Sequence, residues 1–142
     1  MLVRSGGQTC ALPVRAVIEV MRPLPVRPVA GAPAFVRGAA LVRGAPAPVV
    51  DLAAVLGLDS STPSRFVSIR VGERALVLAV DAVLGVRRLP RDTLAVLPPL
   101  LAGAETVAAL GVLDADLLLV LREAALVPDE LWSALTQDSS SP

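Results

Sequence analysis

Few side chains in this sequence could do chemistry of their own. Histidine, tyrosine and lysine are absent, Cys10 is the one cysteine, and all thirteen basic residues are arginine. That inventory excludes a Ser-His-Asp triad, a Cys-His dyad, a Cys or His zinc cage and an iron–sulfur site. A phosphate-binding G-x-x-x-x-G-K-[ST] loop needs lysine, and no G-x-G-x-x-G occurs. Carboxylate chemistry remains. The closest acidic pair flanked by apolar runs is Asp114-Ala115-Asp116. Aspartate bonds nearby backbone N–H groups in tight turns, so the pair reads as a turn ahead of a catalytic or metal-binding site. Cys10 stands in an apolar stretch and reads as a small buried side chain rather than a nucleophile. An enzyme is not expected, nor is a metal or a cofactor.

The composition sets the class. Of 142 residues, 54% are hydrophobic and 18% charged, and the mean hydropathy is +0.69. A disordered chain needs the opposite balance. The length predicts one domain or two tightly joined small ones. It can bury about two thirds of its unfolded surface without disulfide or metal. The longest uncharged run, Thr93 to Ala104, has 12 residues and includes Pro98 and Pro99. A spanning helix needs about 18 or more, so no membrane insertion is expected. Arg4 is followed by Ser5-Gly6-Gly7-Gln8-Thr9 where a secretory signal would be apolar. The expected location is the cytoplasm. Thirteen basic residues balance thirteen acidic ones, and Phe35, Phe66 and Trp132 are the aromatics. Nucleic-acid binding, which selects for basic stripes and stacking platforms, is not expected.

The elements that would carry any site come from an internal repeat. Residues 2–22 match residues 68–88 at an offset of 66, with eight identities in 21 positions and no gap. Val67, Ile69 and Val71 alternate with more polar neighbours, the period of a half-buried strand. Gly72-Glu73 reads as a turn, and Ala75 to Val80 as a strand covered on both faces. The first copy repeats this: Leu2 to Arg4, a Gly6-Gly7 turn, then Thr9 to Val14. The gapless match places Val14 and Val80 in the same kind of element. Downstream, at an offset of 71, Phe35 to Val42, a turn at Arg43-Gly44-Ala45-Pro46 and Val49-Val50 correspond to Thr106 to Leu113, Asp114-Ala115-Asp116 and Leu117 to Leu121. Asp51 suits a helix N-cap and Gly57 the left-handed position past a helix end. The second copy's extra residues fall around Pro98 to Glu105, as a loop or small helix.

Pro23, Pro25, Pro28 and Pro33 mark a connector inside the first copy, because proline cannot donate to a ladder. Pro25 to Pro28 also fits a PxxP ligand. A last helix is expected over about 129–136, with Leu131, Trp132 and Leu135 at helical spacing, and Gln137 to Pro142 reads as a frayed tail. The chain is thus read as mainly β. Two small five-stranded barrels, over about 2–57 and 66–127, pack into one cooperative unit with a groove between them.

A family resemblance enters at Pro33-Ala34-Phe35-Val36-Arg37-Gly38, Leu41-Val42-Arg43-Gly44 and Pro48-Val49-Val50-Asp51-Leu52. These resemble P-x-F-[IV]-x-G, N-[LIV]-R-G and P-[IV]-[IV]-D-L of the chemotaxis coupling protein CheW. Val14-Arg15-Ala16-Val17-Ile18-Glu19-Val20 is similar to its V-x-x-V-x-E-[IV], and Leu78-Ala79-Val80-Asp81-Ala82-Val83-Leu84-Gly85-Val86 to its [IL]-x-V-D-x-V-x-x-V. Nearly the whole chain is covered. The chain departs from the family in its abrupt N-terminal strand, at Cys10-Ala11-Leu12 where an aromatic is usual, at Leu41 in place of Asn, and at Gly85 where a charge is common.

The resemblance implies a single CheW-like domain over 1–142, made of two interlocked SH3-like five-stranded barrels with short helices and a C-terminal helix. It implies a non-enzymatic adaptor, or scaffold, that couples chemoreceptors to a CheA-type histidine kinase in chemotaxis or motility signal transduction. The partners implied are the kinase and the cytoplasmic tip of a chemoreceptor. The receptor-binding residues implied are Val17, Glu19, Val20, Gly38 and Arg43, and the kinase-facing residues stay open. It further implies that Glu19 and Arg43 form an ion pair, and that Gly38→Asp abolishes receptor binding while the fold survives. Other readings stand beside it: a divergent paralogue, for instance of a gliding-motility pathway; a member that binds receptor but not kinase; a small β-barrel ligand-binding module; and a carboxylate enzyme.

Overall fold

The computed structural model describes residues 1–59, 62–89, 95–96, 107–113, 116–122 and 126. Strands β1 (Leu2–Ser5) and β2 (Gln8–Ala11) form a hairpin around Gly6-Gly7. Both turn glycines have positive φ, +57° and +78°, which a residue without Cβ adopts at no steric cost. A 3-10 turn, Val14–Ala16, leads into β3 (Val17–Met21). Then come β4 (Val36–Val42), β5 (Ala45–Asp51) and the short helix α1 (Leu52–Val55). The second copy supplies β6 (Arg65–Val71), β7 (Arg74–Val80), β8 (Ala82–Gly85), β9 (Ala95–Val96), β10 (Val107–Leu113) and β11 (Asp116–Leu121).

Two sheets result. One runs β3-β6-β7-β5-β4, the other β8-β1-β2-β11-β10-β9. Each takes a hairpin from the far end of the sequence: β6–β7 joins strands of the first copy, and β1–β2 joins strands of the second. The insertions are made by two parallel pairs, β5 with β7 and β11 with β2. The architecture is the mainly β arrangement of two interlocked five-stranded units, with the two-residue β9 added at one edge. The β1–β2 hairpin is held by backbone and side chain. Gly6 N–H donates to the Asp81 carboxylate at 2.9 Å and Asp81 N–H donates to Arg4 O at 2.9 Å, which pins the first hairpin to the β7–β8 corner.

The registers of the two copies correspond. The offset of 66 carries Val17 to Val83 and Val3 to Ile69. Val17 pairs with Ile69, and Val83 with Val3. A bulge follows in each, so that Glu19 faces Ser68 and Gly85 faces Leu2. With the offset of 71 as well, the pair Val49–Val77 becomes Val120–Ala11, which is also observed. The β4 bulge between Val36 and Gly38 recurs in β10 between Val107 and Ala109. The match fails at one place. Val14 lies in the 3-10 turn and is 53% exposed, whereas Val80 ends β7 and is fully buried. Pro13 is the reason: it has no N–H for a ladder, so β2 stops at Ala11, while Ala79 at the matching place lets β7 continue.

Burial explains the patterns read from the sequence. From Leu76 to Val80 every residue of β7 is buried. Leu76, Leu78 and Val80 face a central core shared with Val3, Cys10, Leu12, Val67 and Ile69, so this core joins the two sheets. Val77 and Ala79 face a second core with Ala40, Ala47, Val49 and Phe66. A strand with apolar neighbours on both sides reads as a continuous apolar run. Each fully buried Leu or Val contributes about 1.5–3 kcal/mol. Asp51 caps α1, its carboxylate accepting from Ala54 N–H at 3.4 Å, and Gly57 follows with φ +72°. The helix expected over 129–136, Asp114-Ala115 and the segment Pro98 to Glu105 lie outside the described residues.

The exchange of hairpins makes one expectation concrete. Residues 1–57 alone lack β6 and β7, the middle of their sheet, and should show a coil-like far-UV circular dichroism spectrum with no cooperative melt. A folded, cooperatively melting fragment would contradict the interlock.

Candidate functional site

β3 is an edge strand, rich in β-branched residues, that begins after the Pro13 turn and ends before Pro23. Its side chains divide the work. Val17 is half-buried and packs on the central core. Ile18 and Val20 are 44% and 40% exposed. Glu19 stands between them with its side chain 27% exposed.

Arg43 reaches Glu19 from the β4–β5 turn. Arg43 Nε donates to Glu19 Oε1 at 3.0 Å and Nη2 to Oε2 at 2.7 Å. Such a two-pronged grip fixes orientation as well as distance. Arg43 and Gly44 both have positive φ, +50° and +82°, the backbone of a tight hairpin turn whose first position favours Asn or Gly. Arginine there carries backbone strain, and its side chain is held by the carboxylate. The pair spans the two edges of the sheet, since β3 and β4 stand at opposite ends of the order β3-β6-β7-β5-β4. That sheet therefore curls round on itself. The chain after β3 completes the curl: Arg27 N–H donates to Ala39 O at 2.8 Å and Ala39 N–H to Arg27 O at 2.9 Å.

The electrostatics follow from this geometry. The hydrogen bonds from Arg43, aided by its charge, hold the Glu19 carboxyl below its ordinary value of 4.5. The same bonds raise the Arg43 guanidinium above its own. Cys10 is buried, and desolvation pushes its thiol up to about 12, so it supplies no thiolate at neutral pH.

Of the five residues implied by resemblance, Glu19 and Arg43 are brought together, and Val17 and Val20 flank them on β3. Gly38 answers to a different demand. It is buried within β4, and its φ is +144°. A Cβ there would lie 2.1 Å from Arg27 O and 2.9 Å from Pro28 Cα. The glycine makes room for the chain's own connector, so the expectation that Gly38→Asp leaves the fold intact is corrected. Three features escaped the sequence reading. Ile18 and Leu41, the latter 69% exposed, are exposed apolar residues one and two places along the chain from Glu19 and Arg43. The third is the bond from Arg37 Nη2 to Asp51 Oδ2 at 3.1 Å, which ties β4 to the capping residue of α1. The alternation of Arg37, Ala39 and Leu41 with buried Gly38 and Ala40 was a usable signal for Leu41.

Comparison with known proteins places this geometry. Residues 1–131 match the family of the CheW-like domain. Over 83 residues the chain is 40% identical to a chemotaxis protein CheW of Rhizobium meliloti (strain 1021). That alignment covers 56% of this chain and 54% of the relative, so it spans about half of the curated protein. In fold, the chain is similar to the crystal structure of the scaffolding protein TtCheW from Thermoanaerobacter tengcongensis. The TM-score is 0.76 at 21% identity, covering 85% of this chain and 86% of that one.

Two outcomes are expected. Gly38→Ala should lose about 2–4 kcal/mol of stability in urea unfolding, from backbone strain and the clash with Arg27; an unchanged midpoint would refute the crowding. Arg43→Ala should raise the Glu19 carboxyl back toward 4.5 in an NMR titration, with little change in melting temperature. Because the folded value is depressed, the pair contributes fully above the ordinary Glu range, and its contribution is lost as pH falls through the lowered value. The parent should therefore lose stability in acid that the variant does not.

Proposed function

The chain belongs to the CheW-like domain family, and on that footing we propose that it is a non-enzymatic adaptor coupling chemoreceptors to a CheA-type histidine kinase. The match over residues 1–131 carries this reading, and the relative in Rhizobium meliloti, a chemotaxis protein CheW, supports it. The partners are the cytoplasmic tip of a chemoreceptor and the kinase, and the working location is the cytoplasm. Among the described residues no helix is long and apolar enough to cross a membrane.

The adaptor works by geometry alone. On the receptor side, the surface is built from Val17, Glu19, Val20 and Arg43, with Ile18 and Leu41 enlarging its apolar part. A helix docks on such a surface through apolar residues at i, i+3 and i+4. The exposed apolar side chains supply most of the affinity, since burying them removes area from water. The charged pair sets orientation and excludes wrong partners rather than adding much affinity. Gly38 contributes indirectly, by letting the connector close the sheet that holds β3 and the Arg43 turn in place.

The test is a pull-down with a purified receptor signalling hairpin and, separately, the regulatory domain of a CheA-type kinase from the same genome. The unmodified chain should capture both. Val20→Asp should weaken receptor capture by about tenfold or more, as loss of an apolar anchor does. Arg43→Ala should weaken it less. A folded chain that captures neither partner would overturn the adaptor reading.

A further inference from the structure

The two copies expose the same three kinds of side chain at equivalent positions. In β3 the bulge leaves Ile18 as the extra residue between Val17 and Glu19. In β8 the corresponding bulge leaves Leu84 between Val83 and Gly85. Bulges re-aim a side chain at sheet edges and beside functional sites. Here both turn an apolar residue outward: Ile18 is 44% exposed and Leu84 48%. Two residues on stand Val20, 40% exposed, and Val86, 63% exposed. Two further on stand Arg22 and Arg88, both exposed. Both rows start on an edge strand, β3 of one sheet and β8 of the other; Arg22 follows the end of β3, and Val86 and Arg88 follow the end of β8.

A single exposed Leu or Val needs no explanation. The same row at places matched by the offset of 66 does, because sheet edges are normally protected by charge or proline rather than by outward apolar residues. Arg22 and Arg88 set the charge of what each row accepts. We propose that the β8 row, Leu84–Val86–Arg88, is a second docking surface for the same class of segment as the β3 row, Ile18–Val20–Arg22. Each row takes one receptor-type helical hairpin whose apolar stretch is followed by a carboxylate, so the chain is bivalent. The inference rests on the adaptor reading and extends it from one docking surface to two. The rows differ in one respect. Gly85 occupies the place of Glu19, so the second row lacks the carboxylate that grips Arg43 and holds its segment less selectively.

The test is calorimetric titration of the full chain with a purified receptor signalling hairpin at low and high salt. Two hairpins per chain are expected, with both affinities falling as salt screens Arg22 and Arg88. Leu84→Asp should lower the second affinity by about tenfold or more, leaving one hairpin bound; Ile18→Asp should do the same to the first. Arg88→Glu, at an exposed position, should reproduce the Leu84→Asp result if that variant melts early. One hairpin per chain, with Leu84→Asp and Arg88→Glu both binding like the parent, would overturn the second surface while leaving the adaptor reading intact. A chain that binds no hairpin would overturn both.

Discussion

The parallel pairing of β5 with β7, and of β11 with β2, is the constraint on which the rest depends. Each pairing threads a hairpin of one copy into the sheet of the other. Parallel neighbours need a long crossover between them: residues 52–73 lead from β5 to β7, and residues 12–115 from β2 to β11. The result puts β7, buried from Leu76 to Val80, in the middle of a sheet whose edges come from elsewhere in the sequence. It also places a shared core, with Val3 and Cys10 against Ile69 and Leu78, between the sheets. Once those central strands are fixed, β3 and β4 can only be edges. Two edges that curl toward each other can then be clasped by one arginine and one glutamate.

Much of this was legible in the residues. The repeat offsets anticipated which strands correspond, and the structure shows that their registers correspond along the same offsets, down to the bulges in β3, β4, β8 and β10. That works because side-chain period and register are coupled in sheets: a slip by one residue would turn every core side chain outward. The cap at Asp51 and the turns at Gly6-Gly7 and Gly72-Glu73 were legible for local reasons, through backbone bonding and positive φ. The break at Val14 was written in Pro13 but masked by the identities around it.

The proposed docking surface was less legible. Glu19 and Arg43 are 24 residues apart and sit on opposite edges of the strand order, so nothing local announces their contact; the family resemblance did. Gly38 shows the reverse case. The resemblance offered it as a receptor-binding residue; the structure shows its missing side chain making room for Arg27 and Pro28, on a connector path that no spacing rule traces. Ile18 and Leu41 were passed over because exposure at a bulge or a strand edge depends on which neighbour is missing, and that is a property of the assembled sheet.

The proline-rich connector has a consequence for the company the protein keeps. β4 is the last strand of its sheet, and an uncovered edge invites any passing extended chain to add itself. The single bridge between Arg27 and Ala39 occupies that edge. Pro25 and Pro28 on either side of Arg27 have no N–H to offer a further strand. In the second unit the matching place, opposite Leu110, is taken by Ala95 of a short true strand. A sheet edge that refuses further strands keeps the chain from pairing with uninvited ones. Here the refusal is built from a stretch of chain that, judged by its own sequence, looks like mere slack.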